Sequence, residues 1–272
     1  MKHAPPREVI GYYTRFPEEL RLRAGVGQLE FQRTKELLRR FLPQVPATIV
    51  DVGGAAGAYA FWLAGLGHQV HLMDATPRLV AAAMGQNASA ARRLACIALA
   101  DARRLPLRAS MADVVLLMGP LYHLTDRSDR AAALVEAKRV LRRGGLLAAA
   151  AISRCAAVLD GLAFHPGLDA ALVSMRQRSL AEGQYRNETD SDRHFTTAYF
   201  HRPDDLRAEL KEAGCSNVRV FGVEGAGWLL RDFDERWKDA ALREEILAVA
   251  RLLEEEASVS GASAHLLAVG RV

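Results

Sequence analysis

The chain has 272 residues, 50% hydrophobic and 25% charged, with a formal net charge of +4. That length suits one large α/β domain, or a core with an added lid, and the apolar share suffices for a sizeable core. Charge this mild, with arginine clusters but no aromatic interleaving, disfavours nucleic acid as a partner, and no apolar run approaches the roughly 18 residues needed to span a membrane.

Residues 8–42 read as an amphipathic helical segment: Leu29, Leu37, Leu38 and Phe41 recur near helical spacing, and Pro43 stops the run. An alternation follows. Strands are expected at Thr48–Val52, Gln69–Met73, Cys96–Ala100, Val114–Met118 and Leu146–Ile152, with helices at Tyr59–Leu66, Pro77–Asn87 and Asp129–Arg142. Such alternation implies crossovers and a parallel sheet covered by helices on both faces. The strands lack a polar face, as strands buried on both sides do. Residues 153–200 break the rhythm and show no obvious core strand, which suits a lid or binding insertion. The rhythm resumes with a helix at Asp204–Ala213, a strand at Asn217–Val223, a helical stretch over 234–257 and a last strand at Ala264–Val269. The expected division is a helical cap over 1–44, a core over 45–152, a lid over 153–200 and the rest of the core over 201–272. The three cysteines, Cys96, Cys155 and Cys215, lack metal-ligand or CxxC spacing. The first residues lack the apolar core of a secretion signal. Reduced thiols and a cytoplasmic protein are therefore expected.

The stretch Asp51-Val52-Gly53-Gly54-Ala55-Ala56-Gly57 joins an expected strand to an expected helix, an arrangement that cradles nucleotides. Its glycines do not match the G-x-G-x-x-G of a dinucleotide site, and Asp51 would repel a pyrophosphate. A carboxylate there suits a ligand with a cationic end. S-adenosylmethionine fits, since it carries an ammonium, a sulfonium and one carboxylate but no phosphate, and the helix N-terminus after Gly57 favours that carboxylate. Asp74, 23 residues after Asp51, ends the second strand, where an acid accepts hydrogen bonds from two ribose hydroxyls. Asp101 ends the third, where it can accept the adenine amino group while the Ala102 backbone serves the ring. Three acids at the carboxyl ends of three successive strands occupy the edge where open α/β sheets bind ligands.

These residues resemble the class I S-adenosylmethionine-dependent methyltransferases. The glycine-rich turn matches the family's first motif, Val70–Asp74 the second and Ala100–Pro106 the third. Asp113–Leu124 matches the fourth strand and its loop, and Ala137–Leu146 the helix and Gly-Gly turn before the fifth strand. The resemblance covers roughly 45–152 closely. It implies a Rossmann-like fold with a doubly wound, seven-stranded, mostly parallel sheet, and a cofactor site of Asp51, Gly53, Gly54, Ala55, Gly57, Asp74, Ala75, Asp101, Ala102, Met118 and Gly119. Ala55 stands where the family usually has glycine, so the turn is expected to be absorbed by Gly53 and Gly54.

In that family the loop after the fourth strand lies beside the reactive methyl group. Here it carries His123, a candidate general base because its ordinary pKa lies near working pH. Tyr12, Tyr13 and Tyr122, with Arg154, His194 and Tyr199 of the insertion, are expected around a small aromatic or polar acceptor. No His pair has metal-ligand spacing, so no metal is expected. The leading expectation is methyl transfer to oxygen, nitrogen or carbon of a small molecule by a monomer or homodimer. The alternatives are an RNA methyltransferase and a non-catalytic S-adenosylmethionine-binding protein.

Overall fold

The computed structural model describes residues 7–165, 170–187 and 195–272. The N-terminal segment forms three helices rather than one run: α1 (Arg7–Arg15), α2 (Glu18–Arg21) and α3 (Gly27–Arg39). Pro17 has no amide hydrogen to continue α1. Gly25, with φ +53°, turns the chain before α3. A side chain on Gly27 would strike the Arg21 carbonyl at 2.0 Å, so glycine lets α3 start against the end of α2.

The alternation then unfolds much as expected: β1 (Thr48–Val52), α4 (Ala58–Gly65), β2 (Gln69–Asp74), α5 (Pro77–Ser89), β3 (Cys96–Leu99) and β4 (Ala112–Leu117). A one-turn helix α6 (Pro120–His123), α7 (Arg127–Val140) and a long β5 (Leu141–Ser153) follow. The helix expected to reach Arg142 stops at Val140, because Leu141 already pairs with Ala112. The insertion holds α8 (Ala156–Ala163), α9 (Ala170–Glu182), β6 (Gln184–Tyr185) and β7 (Ala198–His201). The chain closes with α10 (Pro203–Glu212), β8 (Ser216–Gly222), α11 (Phe233–Lys238), α12 (Ala240–Leu253) and β9 (His265–Arg271).

Seven strands run in the order β3-β2-β1-β4-β5-β9-β8, parallel except for β9, which is antiparallel to both neighbours. The sheet exceeds the seven strands expected, because β6 and β7 bring the described total to nine. One edge of β5 belongs to β9 from Leu146 to Ile152, so β7, parallel to β5 at Ile152 and Ser153, lies on the other edge beyond the end of β4. The insertion is thereby stitched to the sheet directly above the loop that carries His123.

Alternate strand residues fill opposite faces. Val50, Val52, Val115, Leu117 and Leu147 pack against α7 and α10, while Ile49, Leu72, Val114, Leu116 and Ala148 pack against α3 and α4. Burial on both faces explains the uninterrupted apolar runs of β1, β4 and β5, whereas β3, at the sheet edge, is only partly covered. Among the described residues no helix is long and apolar enough to cross a membrane.

Candidate active site

A cleft lies at the carboxyl edge of β1, β2, β3 and β4, roofed by α1 and α2. Arg78 at the start of α5 latches that roof. Its guanidinium donates to the Tyr13 carbonyl at 2.9 Å and the Phe16 carbonyl at 2.6 Å and pairs with Glu19 at 3.0 Å. Removing three such bonds in Arg78→Ala should loosen the roof. Stopped-flow release of S-adenosylhomocysteine is expected to quicken about tenfold, since charged hydrogen bonds contribute about 1.5 kcal/mol or more each where half-buried. An unchanged rate would mean the roof does not gate the cleft.

The floor is the turn after β1. Gly53 adopts φ +72° and Gly57 φ +95°. Ala55 itself adopts φ +49°, so the left-handed step expected to fall on Gly53 and Gly54 is shared by an alanine, at a cost of about 1 kcal/mol. Gly54 is needed for another reason: a Cβ there would come within 2.6 Å of Asp51 Oδ2. Asp51 thus lies one layer beneath the turn, fully buried, with neither carboxylate oxygen in a well-formed hydrogen bond among the described residues. Burial, then the Asp74 carboxylate, pushes its pKa up to about 7. Gly57 also sits behind the cleft wall, since its missing side chain makes room for the Phe61 ring.

Asp74 lines the cleft and accepts from the amides of Ala55 at 2.9 Å and Thr76 at 2.8 Å. Burial raises its pKa, and the two amides offset only part of that. Asp101 and Ala102 line the opposite end. The Asp101 carboxylate is gripped by Arg103, whose Nη2 lies 2.6 Å away and whose Nη1 reaches Asp129 at 2.7 Å. Its free lone pairs are therefore fewer than the sequence suggested. Gly53, Gly54, Ala55, Ala75, Met118 and Gly119 all face the cleft.

Beyond Gly119, α6 brings Tyr122 and His123 to the cleft, and α1 brings Tyr13 down to meet them. Tyr13 Oη and His123 Nε2 are 2.9 Å apart, although 110 positions separate the residues. Burial lowers the His123 pKa to about 4, and burial raises that of Tyr13. At neutral pH the pair is an uncharged imidazole and an uncharged phenol. Tyr122, its hydroxyl donating to the Met118 carbonyl at 3.2 Å, closes the corner.

Three expected acceptor contacts lie elsewhere. Tyr12 is in a second layer, stacked on Phe16 and edge-on to Phe195. Arg154 is buried behind the cleft, donating to the Phe200 carbonyl, the Tyr199 hydroxyl and Asp205. Tyr199 is covered by Arg130, whose guanidinium carbon lies 3.7 Å from the ring centre. The corrections at Arg154 and Tyr199 share a cause: β7 joins the sheet and turns this part of the insertion inward. His194 lies outside the described residues.

The sequence reading missed Glu18 and Arg21 on the roof. Both line the cleft, joined at 2.7 Å. Arg21 also pairs with Glu30, and behind it His265 bonds Glu224 at 2.6 Å. Burial opposes a proton on His265, but Glu30 and Glu224 outweigh it and raise the pKa. Among the described residues, Glu30, Glu224 and His265 are grouped closely enough to hold a metal ion. Arg21 already supplies positive charge there, and the two carboxylates favour a proton on His265. An i,i+3 Glu–Arg pair in a helical cap gave no sequence signal beyond an ordinary solvated face.

The open α/β sheet, the carboxyl-edge cleft and an orphaned acid beneath a glycine turn define a binder of a cationic, nucleoside-like ligand. Comparison with known proteins makes this specific. A family model described as a methyltransferase domain matches residues 50–149. The ubiquinone/menaquinone biosynthesis C-methyltransferase UbiE of Acidiphilium cryptum (strain JF-5) is 34% identical over 207 residues, 72% of this chain and 79% of that protein. Among solved structures, an S-adenosylmethionine-dependent methyltransferase from Methanosarcina mazei has a TM-score of 0.58 at 14% identity, covering 86% of this chain and 96% of that one. A possible histamine N-methyltransferase from Thermotoga maritima has a TM-score of 0.57 at 15% identity, covering 96% and 98%. The chain belongs to the class I S-adenosylmethionine-dependent methyltransferases. It is an enzyme of that family and its cofactor is S-adenosylmethionine.

Proposed function

We propose that this methyltransferase acts on a small dihydroxyarene, of quinol type, held between the roof and α6. The observation that carries the reading is the Tyr13–His123 pair, which joins the cap to the loop after β4 at the cleft wall. The cap (1–44) and insertion (153–200) close the acceptor space around the core (45–152, completed by 201–272). The name of the UbiE relative supports carbon as the site of methylation, and the aromatic walls of Tyr13 and Tyr122 suit a flat ring.

The residues on the floor fit the cofactor. The orphaned Asp51 carboxylate would accept its ammonium, Asp74 its ribose hydroxyls and the Asp101–Ala102 end its adenine. When bound, S-adenosylmethionine supplies an electrophilic methyl group on a sulfonium. The chain's own contribution is alignment and the handling of a proton. His123 is neutral at pH 7 and accepts; Tyr13, protonated, bridges. A phenolic acceptor donates its O–H to Tyr13 Oη or directly to His123 Nε2, which raises electron density at the ring carbon ortho to that oxygen. An imidazole near pKa 4 is a weak proton acceptor. Its first task is therefore to polarise and orient the O–H; the proton passes to it as the ring carbon gains the methyl group, and that carbon then loses its own hydrogen as a proton while the oxygen takes one back, which restores the aromatic ring. Burial excludes water that would compete for the methyl group.

The test is transfer of radiolabelled methyl from S-adenosylmethionine to 1,4-naphthohydroquinone under reducing conditions, alongside catechol, histamine and total RNA. Carbon methylation of the dihydroxyarenes, with the amine and RNA inert, is expected. Turnover of histamine or RNA with the dihydroxyarenes inert would reject the reading.

A further inference from the structure

Behind His123 lies a buried polar cluster that touches neither cofactor nor cleft. At its centre is Arg130 of α7, only 2% exposed. Its Nη1 donates to the carbonyls of Leu124 at 3.0 Å and Thr125 at 2.9 Å, the two residues that follow His123. Glu209 of α10 balances its charge, accepting from Nε at 2.9 Å. Tyr199 of β7 covers its other face, and Arg154 holds Tyr199 through the phenol oxygen at 3.2 Å. His201 closes the cluster against Glu209 at 3.4 Å. A second donor from the insertion, Gln184 Nε2, reaches the Thr125 carbonyl at 3.1 Å.

A buried arginine paired with one carboxylate leaves donors that must be satisfied. Here they are spent on the two carbonyls at the open end of α6, a helix of one turn that has little stability of its own. Arg130 of α7 and Gln184 of β6 thus bond the two peptide units after His123, and α10 and β7 back Arg130 through Glu209 and Tyr199. We infer that Arg130, backed by Glu209 and Tyr199 and aided by Gln184, is a positioning residue that clamps the end of α6 so that the His123 ring stays against Tyr13 inside the cleft. The inference rests on the reading of His123 as the group that faces the acceptor. It also gives Arg154 and Tyr199 a role one layer behind the site where the sequence placed them.

The groups facing the His123 ring are Tyr13 from α1, Tyr122 from its own helix, Phe195 from the insertion and the Thr197 backbone. Among the described residues none of these carries a full charge, so the dehydration that holds its pKa near 4 depends on the ring staying in place. Loosening the clamp lets water reach it. The experiment follows each histidine by NMR in protein labelled with ¹³C at histidine Cε1 and saturated with S-adenosylhomocysteine, His123→Asn identifying the signal. In Arg130→Gln, His123 should titrate about one unit or more higher, toward the ordinary 6.5. The calorimetric Kd for S-adenosylhomocysteine should stay within about twofold, which separates loss of position from loss of fold. Gln184→Leu strands no charge and should move the titration the same way by less, so it decides the matter if Arg130→Gln does not fold. Arg127→Ala, on the same helix as Arg130, breaks the exposed pair with Glu212 of α10 and should leave it unmoved. An unshifted His123 titration in folded Arg130→Gln and Gln184→Leu would overturn the clamp. Should His123→Asn keep full turnover, the acceptor reading fails instead, and the titration results stand apart from it.

Discussion

Asp51→Asn is expected to raise the melting temperature of the cofactor-free protein at pH 8 while weakening S-adenosylhomocysteine binding about a hundredfold or more. The two effects share one cause. Asp51 is fully buried, and among the described residues neither oxygen has a well-formed hydrogen bond, the Ala60 amide offsetting burial only slightly. Its pKa rises from an ordinary 3.8 to about 7. Because the folded value exceeds the unfolded one, the penalty is absent below about pH 4, grows as pH rises, and is complete above 7. A shift of this size corresponds to at most roughly 4 kcal/mol. Asparagine removes the charge but keeps a buried polar group, so about 2 kcal/mol is recovered. For a chain of this size that is several degrees. In the proposed reading the ligand's ammonium is the partner Asp51 lacks. Taking away the carboxylate leaves that cation buried and unpaired, which costs about 3–5 kcal/mol. Binding to the wild-type protein near pH 6.5 should also release a proton, as the ammonium forces Asp51 to ionise. Calorimetry in buffers of different ionisation enthalpy reads that proton. A lower melting temperature in Asp51→Asn, or unchanged affinity, would remove Asp51 from this role.

His123→Asn is expected to lower kcat for 1,4-naphthohydroquinone by about 10²–10⁴, the range for loss of a proton-handling side chain, with affinity for S-adenosylhomocysteine within twofold of wild type. The split follows from position: His123 lines the cleft against Tyr13, in the proposed reading at its methyl-acceptor end, while Asp74 lines it at the carboxyl end of β2 and Asp51 lies buried beneath the turn after β1. In the wild-type enzyme kcat should hold down to about pH 4 and fall below it, where His123 gains its proton. Tyr13→Phe should be milder, because His123 can still accept directly. A kcat unaffected by His123→Asn would leave alignment as the whole of catalysis and deny the pair any chemical part.

Much of the core was legible because parallel strands buried on both faces read as unbroken apolar runs, and each ends in an acid or a small residue: Asp51-Val52, Asp74, Asp101, Met118-Gly119. The turn from Gly53 to Gly57 was equally visible, since few side chains tolerate it. The cap was misread as continuous because helical periodicity persists across Pro17 and Gly25, although both break the backbone. Arg154 and Tyr199 were placed in the cleft on composition alone. Nothing local announces that Ala198–His201 pairs with the end of β5 and turns those side chains toward Arg130. The grip of Arg103 on Asp101 was hidden likewise, since an exposed-looking Arg-Arg pair gives no hint that one member folds back. Ala55 shows the limit of motif matching: the turn keeps its left-handed step there even with a methyl group in the way.

The most direct test is a crystal structure with S-adenosylhomocysteine bound. The expected pose sets the amino group over Gly54 and Asp51, the ribose on Asp74, the adenine at Asp101–Ala102, and the sulfur facing Tyr13 and His123. A ligand bound with its sulfur turned away from that pair, or with its amino group remote from Asp51, would contradict the assignment of both ends of the site.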